Sequence, residues 1–185
     1  MYAVDLQAGL NVAEASMLNY EAAVTADAGL LPRPLAVFAW SMGGLAAMMA
    51  AHRVEPDALV LLEPSPPGEV QGIDETIPFE PGTYDGGEAY GRFPDGIPSR
   101  PESKLARAER KRGISVPSLP ARTLVVSGRD FAEARGAAIA KFYGVGLLAF
   151  PDASHWDLVQ DDGVRIRIAE WLQADAASSD SASRR

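Results

Sequence analysis

Leu35-Ala36-Val37-Phe38-Ala39-Trp40-Ser41-Met42-Gly43-Gly44-Leu45-Ala46-Ala47-Met48-Met49 is the stretch whose reading decides the fold. An apolar run up to Trp40 reads as a buried strand, a lone serine follows, two glycines come next, and an apolar helix closes the segment. A serine is thereby placed on a strand-to-helix turn. Strand and helix nearly collide around such a turn, so the flanking positions call for small side chains, which Ala39 and Gly43 supply. The turn projects the Ser41 hydroxyl above a sheet edge, at a helix N-terminus whose unpaired N–H groups favour developing negative charge. The Met42 N–H is then the natural donor to an oxyanion. A plainer reading is that Ser41 only caps a helix, as many serines do, and the motif alone does not separate the two.

A serine nucleophile needs a base, and the chain holds two histidines. His52 lies on the same predicted helix, roughly 16 Å along its axis from Ser41 at ~1.5 Å rise per residue, and cannot reach. It reads as a helix C-terminal histidine favoured by the macrodipole. His155 follows the apolar run Val145-Gly146-Leu147-Leu148-Ala149-Phe150 and sits in the loop Pro151-Asp152-Ala153-Ser154-His155-Trp156. A loop at a strand end is where a base that must move belongs.

Three segments together resemble the α/β-hydrolase family: Ala39-Trp40-Ser41-Met42-Gly43-Gly44, then Thr123-Leu124-Val125-Val126-Ser127-Gly128-Arg129-Asp130, then Ala153-Ser154-His155-Trp156. Their order, Ser then acid then His, is the family's order. The resemblance spans about Tyr2 to Leu172. Ala39 stands where the family's Gly-x-Ser-x-Gly pattern has its first glycine, a departure of one methyl group.

Length and composition bound the rest. A chain of 185 residues with 47% hydrophobic and 23% charged residues is one domain with a substantial core. A net charge of −8 argues against nucleic acid or an anionic membrane as the main partner. Without cysteine there is no disulfide framework and no thiolate metal site. Neither a signal peptide nor a membrane-spanning run is recognisable, so a cytoplasmic location is expected.

Taken in order, Tyr2–Leu6 reads as a short strand and Val12 to Asp27 as a helix ending near Gly29. After the Ser41 helix, Ala58-Leu59-Val60-Leu61-Leu62-Glu63 is a second apolar strand. Ala121 to Gly128 is the next, Ala132 to Tyr143 a helix, and Gly146 to Phe150 the last strand. A closing helix runs from about Gly163 to Gln173. Unbroken apolar strands alternating with helices mean an α/β fold, a mostly parallel sheet of about five strands covered on both faces. With the resemblance, this is a truncated α/β-hydrolase-like three-layer sandwich over residues 1–173. The tail 174–185, rich in Ser, Ala and Asp, is expected to be disordered.

Residues 64–120 differ, holding ten of the fourteen prolines. Such a segment is a long irregular excursion. The family inserts a cap over the active site here, so the resemblance implies a lid, anchored by Phe79, Tyr84, Tyr90 and Phe93. A disordered loop is the alternative. The helix expected from about Pro101 to Arg112 carries Lys104, Arg107, Arg110, Lys111 and Arg112, either a solvated face or a site for an anionic substrate tail.

The histidine also needs a carboxylate to hold its tautomer. Asp130 follows the strand at the family's commonest position for the acid and is favoured, although it comes two residues after Gly128 where the family usually has three. Glu63, at the end of the preceding strand, is a position that some members use instead. The resemblance also begins only at the family's fourth strand. Absent are the strand next to Leu35–Trp40 and the loop that usually supplies a second oxyanion donor. The N-terminal strand could slide into the vacant place, a second subunit could supply the edge as a homodimer, or the stated start could be internal to a longer protein.

The resulting expectation is a serine hydrolase acting on an ester or related acyl bond of a small molecule, with no cofactor and no metal. Ser41 attacks, His155 is the base, Asp130 or Glu63 orients it, and Met42 N–H stabilises the oxyanion. Trp40 and Trp156 form an apolar acyl pocket. The competing expectation is a non-catalytic α/β-hydrolase-like binding or interaction protein with an incomplete oxyanion hole.

Overall fold

The computed structural model describes residues 2–90, 93–95, 97 and 99–182, with the side chains of Tyr90 and of 175–182 left out of the description. Four strands form its main sheet: β1 (Ala36–Trp40), β2 (Ala58–Leu62), β5 (Thr123–Ser127) and β6 (Gly146–Ala149). They lie in the order β1-β2-β5-β6, all parallel. The intervening excursion contributes a separate antiparallel pair, β3 (Thr83–Asp85) with β4 (Pro101–Ser103).

Parallel neighbours need long crossover connections, and each one here includes helical turns. Helix α1 (Met17–Ala28) precedes β1, and α2 (Ser41–Val54) joins β1 to β2. Ser16 caps α1: its hydroxyl accepts from Asn19 N–H while the Asn19 side chain accepts from Ser16 N–H. Short helices α3 (Gly68–Gln71) and α4 (Gly86–Tyr90) and the longer α5 (Lys104–Arg112) lie in the excursion. A π-helical turn over Ala132–Ala137 leads into α6 (Ala138–Tyr143), while α7 (Asp157–Gln160) and α8 (Asp162–Ala182) close the chain.

Strand alternation divides the core into two layers. Leu59, Leu61 and Val125 face α1, α2 and α6, packing with Met17, Tyr20, Leu45, Met48 and Ile139. Val60, Leu62, Leu124 and Val126 face α7 and α8, packing with Leu158, Val164 and Ile168. Every residue of β2 and β5 is buried, which is why these strands read as continuous apolar runs.

Two expectations are corrected here. Tyr2–Leu6 is not a strand, so the main sheet has four strands and β1 is one of its edges among the described residues, with Phe38 half-exposed. The segment turns instead: Ala8 N–H donates to the Asp5 carbonyl, Gln7 Nε2 donates to Pro101 O, and Arg100 pairs with Asp5. The N-terminus therefore joins the excursion and does not slide beside β1. The closing helix does not stop at Gln173 either. It runs on to Ala182; residues 183–185 lie outside the description. The excursion, expected as an irregular segment with a helix near its end, also contains the β3–β4 pair and the short helices α3 and α4, and of its expected anchors only Tyr90 falls outside the described side chains. Among the described residues, no helix is long and apolar enough to cross a membrane.

Candidate active site

The register of the sheet brings three strand ends level. Trp40 pairs with Leu62, and Leu62 with Val126. The next residues along each strand, Ser41, Glu63 and Ser127, therefore line up at the C-terminal edge of the sheet, where parallel α/β sheets bind ligands. Two of these ends are strained. Ser41 has φ 53° and Glu63 has φ 38°, both in the left-handed region that β-carbon sterics disfavour. Non-glycine residues hold such backbone only where surrounding structure enforces it. At Ser41 the enforcement is visible: its carbonyl accepts from Ser65 N–H at 2.8 Å, and Gly44, one turn on, lies so close to Pro64 that a β-carbon there would come within 2.5 Å of the proline ring.

Glu63 is completely buried. A carboxylate without water needs partners, and it has two. Its Oε1 accepts from Gly128 N–H at 2.7 Å, and its Oε2 lies 2.6 Å from His155 Nδ1. With Nδ1–H directed at the carboxylate, the imidazole presents the lone pair of Nε2. Asp130, favoured from the sequence as this acid, does something else: its Oδ2 accepts from the His155 backbone N–H at 2.8 Å. The two carboxylates thus divide the residue between them, Glu63 holding its ring and Asp130 its main chain. The reason is the short turn after Gly128, which leaves Asp130 beside the His155 backbone.

The 150–157 loop is pinned at several points. Arg129 N–H donates to Ala153 O at 2.8 Å, and Ser154 N–H donates to Asp157 Oδ2 at 2.7 Å. The Ser154 hydroxyl, and after it the Ser154 amide, hold the Asp157 carboxyl below the ordinary aspartate range. Trp40 Nε1 donates to His155 O at 3.0 Å. The Trp40 ring lies 4.6 Å from the imidazole centroid and 4.7 Å from the Trp156 ring. Phe131 stands edge-on to the imidazole at 5.2 Å, and Phe93, from the excursion, meets Trp156 at 4.9 Å. Trp40, expected as a pocket wall, contacts both the main chain and the ring of the histidine.

Ser41 opens α2, so Met42 N–H belongs to the first helical turn and has no carbonyl four residues back to satisfy it. His52, set aside as a base and expected at the C-terminal end of this helix, is in its last turn. Among the described residues, no group of three or more His, Asp or Glu side chains is arranged to hold a metal ion.

No protein-family model matches the sequence, and no curated protein is similar to it. Solved structures do match. Est1E from Butyrivibrio proteoclasticus, an esterase of the α/β-hydrolase family, superposes with a TM-score of 0.52 and 21% identity, over 86% of this chain and 72% of that one. The fold is α/β-hydrolase-like. In this α/β-hydrolase-like chain the serine, the histidine and a buried carboxylate come from three separate strand ends. The sequence made Ser41 and His155 conspicuous through their local motifs. It concealed the contact of Phe131 with the imidazole, and Phe93, expected only as an anchor of the excursion, meets Trp156.

Proposed function

We propose that this protein is a serine hydrolase that cleaves an ester or related acyl bond through an acyl-enzyme intermediate. The observation that carries the reading is the 2.6 Å contact between buried Glu63 and His155 at the sheet edge where Ser41 sits with φ 53°. Ser41 Oγ attacks the acyl carbonyl while His155 Nε2 takes its proton. Glu63 stabilises the imidazolium, and Asp130 and Trp40 keep the histidine main chain in place. Met42 N–H and the α2 terminus stabilise the tetrahedral oxyanion. Collapse expels the alcohol, which receives the proton from His155; water, activated by the same base, then releases the acid and restores Ser41. Trp40, Trp156 and Phe93 wall an apolar acyl site, with the excursion as its lid.

A second reading, a non-catalytic binding protein on the same fold, has one observation in its favour. The hydrogen bonds of His155 among the described residues go to Asp130, Trp40 and Glu63, and none goes to Ser41 Oγ. Catalytic hydrogen bonds in ligand-free enzymes are often long and tighten only with substrate, so the hydrolase reading stands first. A fluorophosphonate probe separates the two. Labelling at Ser41 that disappears in His155→Ala supports the enzyme; folded protein that takes no label supports the binding module.

A further inference from the structure

Behind Ser41 lies a polar cluster that the mechanism above does not use. Buried Ser65 donates its N–H to Ser41 O at 2.8 Å, and its Oγ accepts from Arg110 Nη1 at 3.3 Å. Arg110 Nη2 donates to Tyr84 Oη at 3.4 Å and stands 4.0 Å from Glu102 Oε2. Tyr84 Oη in turn donates to the same Glu102 oxygen. Tyr84 and Glu102 face each other across the β3–β4 pair. One guanidinium on α5 therefore gathers both strands of the excursion and the residue whose amide holds the nucleophile turn.

Arg110 occupies this position at a disadvantage. Its side chain is only 13% exposed, and its Nε is buried without a hydrogen-bond partner. An unsatisfied buried donor destabilises the fold, and an apolar side chain of similar volume would fill the space without that defect. What an apolar residue could not do is present a planar fork with donors aimed at Ser65 and Tyr84 together. Lysine could not do it either, having a single compact ammonium.

We propose that Arg110 is a positioning residue that couples the β3–β4 pair to the backbone of the Ser41 turn through Ser65. It touches no reacting atom. Its catalytic consequence rests on the hydrolase reading, whereas the coupling itself can be measured without any turnover. The basic run on α5, read from the sequence as a solvated face or an anion site, thus contains one residue that is neither.

The test uses the full chain with R110Q, R110K and S65A, and two measurements. One is hydrogen exchange in peptides covering 63–66 and 82–86. The other is the rate of fluorophosphonate labelling at Ser41 as probe concentration is raised. R110Q is expected to raise exchange in both peptides and to lower the limiting labelling rate by about ten- to a hundred-fold, with the half-saturating probe concentration little changed. R110K recovers only part of the rate, and S65A loosens 63–66 while leaving 82–86 protected. Unchanged exchange at 63–66 in R110Q overturns the coupling. Faster exchange with an unchanged limiting rate makes Arg110 merely structural, and a change confined to half-saturation makes it a binding residue; either overturns the positioning role. Wild-type protein that takes no label refutes the hydrolase reading instead, and the exchange data then decide the coupling alone. If R110Q loses its near-UV circular dichroism, S65A decides by the same criteria, since it leaves the guanidinium in place.

Discussion

Glu63 and His155 stand 92 positions apart in the chain, and Glu63 Oε2 lies 2.6 Å from His155 Nδ1. The contact joins the end of β2 to the loop after β6 across the end of β5, whose Gly128 N–H occupies the other carboxylate oxygen. A carboxylate removed from water and given two donors is fixed in direction, and it fixes the imidazole in turn.

The first prediction follows from the separate tasks of the two carboxylates. Glu63→Gln keeps the shape and loses the charge that stabilises the imidazolium, so the rate of Ser41 labelling or of ester hydrolysis is expected to fall by about 10³- to 10⁴-fold, as for an orienting acid. Asp130→Asn retains an oxygen able to accept from the His155 N–H and is expected to cost less than about ten-fold. Rates measured side by side decide the matter. A larger loss in the Asp130 variant would return the acid's role to that residue.

What could be read from the sequence was what the chain settles locally. The Ser41 turn declared itself because apolar strand, serine, small residues and apolar helix are contiguous, and β2, β5 and β6 declared themselves as unbroken runs between turn residues. The choice between Glu63 and Asp130 was not local. It depends on the register that sets Leu62 against Val126 and on the tight approach of Gly128 to Ala153, neither of which leaves a mark in the sequence. Tyr2–Leu6 misled for a related reason. A five-residue run becomes a strand only when a neighbour pairs with it, and here Tyr2 reaches Asp27 on α1 while Asp5 is engaged by Arg100.

The strain at Ser41 predicts a trade of stability against activity. A β-carbon in the left-handed region costs about 1–2 kcal/mol, and glycine escapes that cost. Ser41→Gly is therefore expected to be more stable to urea than Ser41→Ala by about 1 kcal/mol, while neither takes a fluorophosphonate label. Equal midpoints in the two variants would show that the surroundings do not enforce the positive φ.

Three glycines at the site are predicted to differ in what a methyl group does. At Gly43 the added carbon would meet Leu6 Cδ1 at 3.8 Å, an ordinary contact, so Gly43→Ala is expected to change stability by less than about 1 kcal/mol. At Gly44 it would come within 2.5 Å of Pro64 Cβ and 2.8 Å of its Cα, and overpacking of about 1–3 kcal/mol is expected. At Gly128 it would lie 2.4 Å from Ala153 O, forcing the histidine loop away from Glu63. Gly128→Ala should therefore lose labelling out of proportion to its loss of stability, whereas Gly44→Ala should lose stability first. Denaturation midpoints and labelling rates on the same three proteins test the ordering.

Acid should loosen the histidine loop through Asp157. Hydrogen bonds from Ser154 hold this carboxyl below its ordinary value of 3.8 in the folded protein. A depressed carboxyl contributes stability that is fully present above the unfolded value and is lost as pH falls through the folded one. Between about pH 5 and about pH 3, wild-type protein is expected to show a steeper loss of protection across residues 150–157, with exchange taken relative to the intrinsic rate at each pH, than Asp157→Asn, whose amide does not titrate in that range. At pH 7 the order reverses in kind: the variant, lacking the charge-assisted bond from Ser154 N–H, exchanges faster there than the wild type. Parallel slopes for the two proteins across the acid range would remove Asp157 from the account of how the loop is held.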